Sequence, residues 1–483
     1  ALALVPVLAE TGIQRFMNGP ESFTADTRPL VGAAPHLDGL FVAAGMNSVG
    51  IMSSAGIGKV LADWVIAGEA PSDLWGIDIA RVDPLTASSA HMAARMEEAV
   101  ADLFALHWPF KQPKAGRGLR TSALHGHWAA QGAVFGLTAG WERGIWYARS
   151  DDERSLPYAV GAQPWYPIAV REAAEMKEGA ALIDLSPFTK IDVTGADALL
   201  LLQETATANI DVAVGRAVYT LFLNDRGGIE ADVTVTRLGD DHFRVVSGAA
   251  TRQKDLAFLR RAAMGRNVLL HDITEDHCVI GVMGAASRSI LATLSNDNWS
   301  SFAFSTARPV TVAGTRCLAT RLSFVGELGW ELMIPAGEAG AVFDALIIAG
   351  ARPLGHYALD ACRIEKGYRH WGHDLGPDIT PLEAGLSFTI DWSKDFRGRN
   401  ALLHLRSMGV GRRMVMFNVE GHPLVLHDEP IFENGRGVGM TTSGARGART
   451  GLTLALGVVD IAEGETLAQT CARSFSIRVA GQD

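Results

Sequence analysis

The sequence predicts an α+β protein of several domains, and three observations carry that expectation. Hairpin-like strand pairs alternate with amphipathic helical stretches, rather than recurring as the strand–helix–strand units of a doubly wound sheet. The 483-residue length exceeds one ordinary core and suggests about three domains. Composition is that of a globular chain, 48% hydrophobic and 20% charged. A net charge of −10 argues against a general nucleic-acid binder, which needs a basic surface to displace counterions from phosphates. No run of about 18 apolar residues is evident, so no membrane span is expected. Cys278, Cys317, Cys362 and Cys471 lie far apart, without metal-like spacing, and read as reduced thiols; Cys278 and Cys317 sit in apolar runs as small core residues.

In chain order, residues 1–9 form a short apolar run without an initiator Met or the basic flank of a signal peptide, and are expected to belong to a domain that opens outside this chain. Residues 26–32 (DTRPLVG), a turn at 36–39 and a strand-like run at 40–44 lead to GMNSVGIMSSAGIGKVLADWVIAGE at 45–69. Its glycines open a helix with Val60, Leu61, Trp64 and Val65 on one apolar side. Such a turn brings backbone N–H groups and the positive end of a helix against an electron-rich group. Neither the P-loop nor the dinucleotide pattern fits, because Gly56-x-Gly58 lacks a third glycine and Val60 follows Lys59. A helix is expected at 92–106, and His125 with His127 makes poor metal-ligand geometry, so no metal is assigned. The charged, Pro- and Gly-containing stretch 150–164 reads as a linker or surface loop, and helices are expected at 165–179 and 252–264.

The central hairpin is expected at 217–237. Asn224, Asp225, Gly227 and Gly228 supply a tight turn, and strict alternation sets Ile229, Ala231, Val233 and Val235 on one face. Glu230, Asp232, Thr234 and Thr236 share the other, which alone could be merely wet; Glu230 and the threonines read as surface. Glu327 and Glu331 flank a glycine-rich hairpin in RLSFVGELGWEL. A helix at 358–366 carries Arg363 toward YRHWGHDL, where Glu365 and Arg369 could form an i,i+4 surface pair and His370 and His373 a solvated helix end.

Taken together, Tyr219, NDRGGIEAD, VGELGWE, CRIEKGYRHWG and TPLEAG stand in the order found in glycine-cleavage T-proteins, and the chain from about residue 165 onward resembles that aminomethyltransferase family. DTRPLVG, GLFVAAGMNSVGI and GEAPSDLW resemble the C-terminal end of the flavin domain in glycine-oxidase-like enzymes, and GWERGIWYA the central domain of dimethylglycine and sarcosine dehydrogenases. The resemblance implies a remnant of an FAD-dependent oxidoreductase domain at 1–75, a central domain at 76–148, a folate-binding body at 149–405 and a small β-barrel at 406–483, stopping just short of the barrel's usual end. It implies Asp232 as the catalytic carboxylate, with Ala231 replacing the first of the family's usual two aspartates. Tetrahydrofolate would meet Glu331 at its amino edge, Tyr219 and Phe324 at its ring and Arg363 at its anionic tail, which suits the chemistry of carboxylates, aromatics and guanidinium. Phe324 stands where the family usually has Tyr. Gly45, Asn47, Ser48 and Gly50 are flavin-side positions by the same resemblance.

The implied function is oxidation of an N-methylated glycine at FAD, with the one-carbon unit captured as 5,10-methylenetetrahydrofolate and an electron-transfer partner accepting the electrons. The alternatives are a non-catalytic folate-binding or regulatory relative and a free-standing aminomethyltransferase. No nucleic-acid or membrane partner is expected. The expected compartment is the cytoplasm, or the mitochondrial matrix in a eukaryote.

Overall fold

The computed structural model describes residues 4–481, so the first three positions of the apolar run at 1–9 lie outside the described residues. Two large sheets form the body. The first is antiparallel, in the order Leu269–Asp272, Thr189–Thr194, His242–Ser247, Ile229–Arg237, Ala217–Leu223. The second runs Ala307–Val312, Thr315–Thr320, Gly329–Pro335, His277–Met283, Ala181–Asp184, Arg352–Pro353, with the last strand parallel to Ala181–Asp184. Leu269–Asp272 and His277–Met283, though close in sequence, belong to different sheets.

The alternation read from the central hairpin is the alternation that folds. Ala231, Val233 and Val235 are buried with Leu256 and Leu259 of the helix Arg252–Ala263. Their opposite-face neighbours are left for polar work. Asn224 fixes the turn: its side-chain oxygen accepts from Arg226 N–H at 3.1 Å and Gly228 N–H at 2.8 Å, while its amide donates to the Pro377 carbonyl at 2.9 Å. Residue 228 has to be glycine, since a Cβ there would lie 1.8 Å from the Pro377 oxygen. The hairpin tip is therefore seated on the loop that follows the YRHWGHDL segment.

A third sheet, antiparallel, closes the C-terminal part in the order Arg412–Val419, Thr453–Asp460, Arg436–Arg446, Pro430–Glu433, Ser476–Ile477. The hairpin Ala133–Thr138 and Trp141–Tyr147 packs into the body, where Leu124, Trp128, Ala133 and Tyr147 share a core with Leu182, Ile280 and Trp330. Buried Glu172 fastens it, accepting from Tyr147 N–H at 2.7 Å and Gly355 N–H at 2.8 Å.

The N-terminal part differs in kind. Its hairpin, Leu30–Ala33 with Phe41–Ala44, precedes the 18-residue helix Gly50–Ala67, of which only Trp64 is buried. Of the side expected to be apolar, Trp64 is buried, Val60 and Leu61 are half-buried and Val65 is exposed, while Ile51, Met52 and Ile66, at 99%, 82% and 85% exposed, add apolar surface that faces out. This helix is also, among the described residues, long and apolar enough by length and composition to cross a membrane, although its sequence is interrupted by glycines, serines and charged residues. Segment 69–75 is strapped to the body. Glu69 pairs with Arg226 at 2.9 Å and Arg397 at 3.0 Å, Asp73 N–H donates to Asp378 at 2.8 Å, and Trp75 meets Trp371 edge-on at 5.2 Å. A cavity of about 530 Å³ lies behind this strap, lined by Trp64, Trp75, Glu230, Lys254, Phe258 and Arg261 among others.

Candidate functional site

Asp232 projects from the strand Ile229–Arg237 opposite Leu221, and the Tyr219 hydroxyl, two residues along the neighbouring strand, donates to its Oδ2 at 3.3 Å. Burial raises the Asp232 carboxyl to about 6, and the nearby Asp255 carboxylate adds to the rise. Asp255 itself is buried, with Thr251 donating to one oxygen at 2.6 Å. Burial and Asp232 together hold the Tyr219 phenol well above its ordinary value, so it stays a donor. The result is a carboxylate that is ionised at neutral pH yet basic enough to take a proton.

Glu331 stands on the second sheet, paired in register with Gly281 and Thr320. Among the described residues no group donates to it, and burial alone raises its carboxyl to about 7. Two residues on, Met333 Sδ receives Arg244 Nη1 of the first sheet at 2.9 Å, which brings the two sheets into contact. Phe324 stacks on Tyr368 with ring centroids 6.0 Å apart, supplying a flat apolar pair without a hydroxyl at position 324. An unpaired, half-buried carboxylate with flat rings elsewhere in the body suits a heterocycle that offers paired N–H donors.

Arg363 is a correction. It is 2% exposed, and its guanidinium meets Asp374 at 2.7 Å, Asp360 at 2.7 Å, the Tyr368 carbonyl at 3.0 Å and Ser443 Oγ at 3.3 Å. Such a group holds the loop together and has no reach to a ligand tail. Glu365 and Arg369 are not a surface pair either: Glu365 pairs with Arg449 at 2.9 Å, while Arg369 donates to the Gly367 and Ala384 carbonyls. Glu327 joins the same Arg449. His373 lies between His370 and His427, with centroids 5.3 and 5.4 Å away, and both ends are open to solvent. Glu230, read as surface, pairs with Lys254 at 3.0 Å and borders the cavity; Lys254 in turn lies over the Trp371 ring at 4.5 Å. Asp360 is three residues from Arg363, but Glu230–Lys254, Glu327–Arg449 and Glu365–Arg449 are distant in sequence, which is why local spacing missed them.

Gly45, Asn47 and Ser48 fall in one turn and Gly50 is the first residue of the helix after it, well apart in sequence from the carboxylates. Gly45, Asn47 and Ser48 all have positive φ (63°, 47° and 67°), and a Cβ at Gly45 would lie 2.5 Å from Thr24 Cγ2. Asn47 is buried, and its side-chain oxygen accepts from Thr24 N–H at 2.9 Å, so it shapes the turn rather than facing outward. The helix that follows has no side-chain cap and no acidic residue in its first turn. That open positive end fits the electron-rich side of a flavin ring. No residue described here forms the dinucleotide half of an FAD site, so the fit concerns the ring alone.

Fold and carboxylate geometry together define the class: a T-protein body joined to the tail of a flavoprotein domain. The comparisons agree on this. The GCVT N-terminal domain model matches residues 124–394 and the glycine cleavage T-protein C-terminal barrel domain matches 412–483. The FAD dependent oxidoreductase model matches residues 1–64, and the FAD dependent oxidoreductase central domain matches 67–122. The chain belongs to the glycine-cleavage T-protein family and carries FAD-dependent oxidoreductase segments in front of it. It is 43% identical to 4-methylaminobutanoate oxidase (formaldehyde-forming) of Paenarthrobacter nicotinovorans, over 95% of this chain and 57% of that protein. It is 36% identical to mitochondrial sarcosine dehydrogenase of Mus musculus, over 95% of this chain and 55% of that protein. The chain thus spans about half the length of these curated relatives. The aminomethyltransferase T structure of the glycine cleavage system from Bartonella henselae matches with a TM-score of 0.65 at 24% identity, over 75% of this chain and 94% of that one, a likeness of fold.

Proposed function

We propose that this chain is the folate half, with part of the flavin half, of an enzyme that oxidatively demethylates an N-methylated amino acid and captures the one-carbon unit as 5,10-methylenetetrahydrofolate. The observation that carries the reading is Asp232: a half-buried carboxylate raised to about 6 and held by a phenol, in a T-protein body. Attack by a folate amine requires loss of its proton, and Asp232 is the group built to take it. Tyr219 keeps that carboxylate oriented, and Glu331 would receive the amino edge of the pterin, which relieves its unpaired burial. FAD, when bound, supplies the two-electron oxidation of the N-methyl group, and an electron-transfer partner takes the electrons away. Residues 1–64 support the flavin side of the reading through their family match, and the exposed apolar helix Gly50–Ala67 offers the face on which the rest of a flavin domain would pack.

N-methylated glycines remain the finer proposal for the substrate, with 4-methylaminobutanoate the alternative that the first relative's name raises. The test uses the complete enzyme with sarcosine, dimethylglycine or 4-methylaminobutanoate, with and without tetrahydrofolate. Asp232→Asn is expected to lower methylenetetrahydrofolate yield about 100-fold, the scale of a positioned proton acceptor. Amine oxidation continues in that variant, and the carbon leaves as formaldehyde. Undiminished methylenetetrahydrofolate yield in the variant refutes the assignment.

A further inference from the structure

The buried Arg363–Asp374 pair leaves the anionic end of a ligand without the cation that the sequence assigned to it. We propose that Arg369 takes this role and binds a ligand carboxylate at the edge of the Tyr219–Asp232 site. The inference rests on the folate reading for its choice of probes.

The guanidinium of Arg369 is aimed without being neutralised. Its Nε donates to the Ala384 carbonyl at 3.1 Å and its Nη1 to the Gly367 carbonyl at 2.7 Å. These two oxygens fix the plane of the fork but bring no charge. Asp374, a carboxylate near enough to act on it electrostatically, is saturated. One Asp374 oxygen accepts from Arg363 at 2.7 Å and His370 N–H at 2.9 Å, the other from Thr442 at 2.6 Å and Ser443 at 2.7 Å. Among the described residues Arg369 makes no ion pair, and Nη2 is its uncommitted end. Glycine at 385, with φ 70°, keeps that end open, since a Cβ there would stand 3.0 Å from Nη2.

Its placement matches the proposed ligand. Tyr219 packs on the cluster that contains Ala384, whose carbonyl holds Arg369, and the Arg369 charge lowers the Tyr219 phenol against the rise from burial. The preceding residue, Tyr368, forms the flat pair with Phe324. A planar ligand between the carboxylates and these rings would thus meet a cation at one edge. Burial lowers the Arg369 pKa, as expected for a positive charge waiting for a partner. A preformed guanidinium fork suits a carboxylate, which it can bind through two parallel hydrogen bonds. Two sources offer that group: the glutamate of a reduced folate, or the amino acid whose methyl is removed.

Calorimetry on the 483-residue chain separates them. The probes are 5-formyltetrahydrofolate, its pteroate counterpart lacking glutamate, and 4-methylaminobutanoate added to the folate-loaded chain. If glutamate is the source, Arg369→Gln weakens 5-formyltetrahydrofolate by about 10- to 100-fold. The pteroate then stays within about twofold, and Arg369→Lys recovers part of the loss. If the amino acid is the source, both folates are unchanged and 4-methylaminobutanoate weakens by the same factor. Arg369→Gln that alters no ligand, or weakens folate and pteroate equally, overturns the proposal. A wild-type chain that binds neither folate nor pteroate overturns the folate reading itself; the amino-acid arm, run on the bare chain, then decides Arg369 separately. Arg369→Lys retains a donor for the two carbonyls, so matched thermal midpoints for that variant keep a folding defect from imitating the result.

Discussion

Glu331→Gln separates a residue kept for a ligand from one kept for the fold. Glu331 is half-buried and has no donor among the described residues, and burial lifts its carboxyl from 4.5 to about 7. In the unfolded chain the group ionises near its ordinary value, so folding binds a proton between those two pH values. Stability therefore falls as pH rises from about 4.5 to about 7 and is flat above. The full shift corresponds to about 3 kcal/mol lost by pH 8, against less than about 1 kcal/mol at pH 5. Gln is an uncharged isostere of the protonated acid and carries no such cost. Urea unfolding of ligand-free protein should therefore show the variant more stable than the parent by up to about 3 kcal/mol at pH 8, and nearly equal to it at pH 5. Binding should move the other way: loss of the charge-assisted hydrogen bonds to a pterin edge weakens 5-formyltetrahydrofolate by about 10- to 100-fold. The parent should release protons on binding near pH 7, seen as a dependence of the binding enthalpy on buffer ionisation. A variant that is less stable at both pH values, or that binds the folate as the parent does, refutes the reasoning.

Two other outcomes follow from the same contacts. Arg363→Lys keeps the charge but loses the fork between Asp374, Asp360 and the Tyr368 carbonyl, and Arg363→Ala leaves Asp374 buried and unpaired; the Ala variant should lose about 3–5 kcal/mol in urea unfolding, with the Lys variant between. Asp255→Asn removes the charge that adds to the rise in the Asp232 carboxyl, so the acid limb of methylene transfer, expected near pH 6, should move to lower pH in a rate profile measured with the complete enzyme.

The parts of the fold that sequence made legible are those governed by local period. The central hairpin shows this best: its alternation and its Asn–Asp–Gly turn are local properties, and both strands form where they were expected. The side from which Asp232 projects was legible for the same reason, because a strand position fixes a side, whereas the role assigned to it came from the family resemblance. What eluded the sequence was pairing across distance. Glu230 finds Lys254 24 residues away and Arg363 finds Asp374 across a turn, whereas Glu365, at the end of the helix His356–Ile364, reaches Arg449 in the turn between Arg436–Arg446 and Thr453–Asp460. An Arg beside aromatics and histidines reads as a binding group until its carboxylates are seen: Asp360 stands one turn back on the same helix, and Asp374 lies beyond the turn, where no helical spacing points. The helix Gly50–Ala67 is legible only in part: its apolar side predicts a cover, which among the described residues reaches Trp64 fully and Val60 and Leu61 partly, while Ile51, Met52 and Ile66 stay exposed.

The strap at residues 69–75 changes what the peptide connection between the two parts is for. Its ion pairs, its Asp73–Asp378 hydrogen bond and its tryptophan contact join the start of the central-domain segment to the T-protein body directly, about 150 to 330 residues apart along the chain. Chain continuity then supplies local concentration, and the contacts supply orientation. An enzyme divided into two polypeptides downstream of this strap would forfeit the first and keep the second. Fusion and separation into subunits are thus neighbouring solutions for this architecture, differing by an entropic term and not by a new interface.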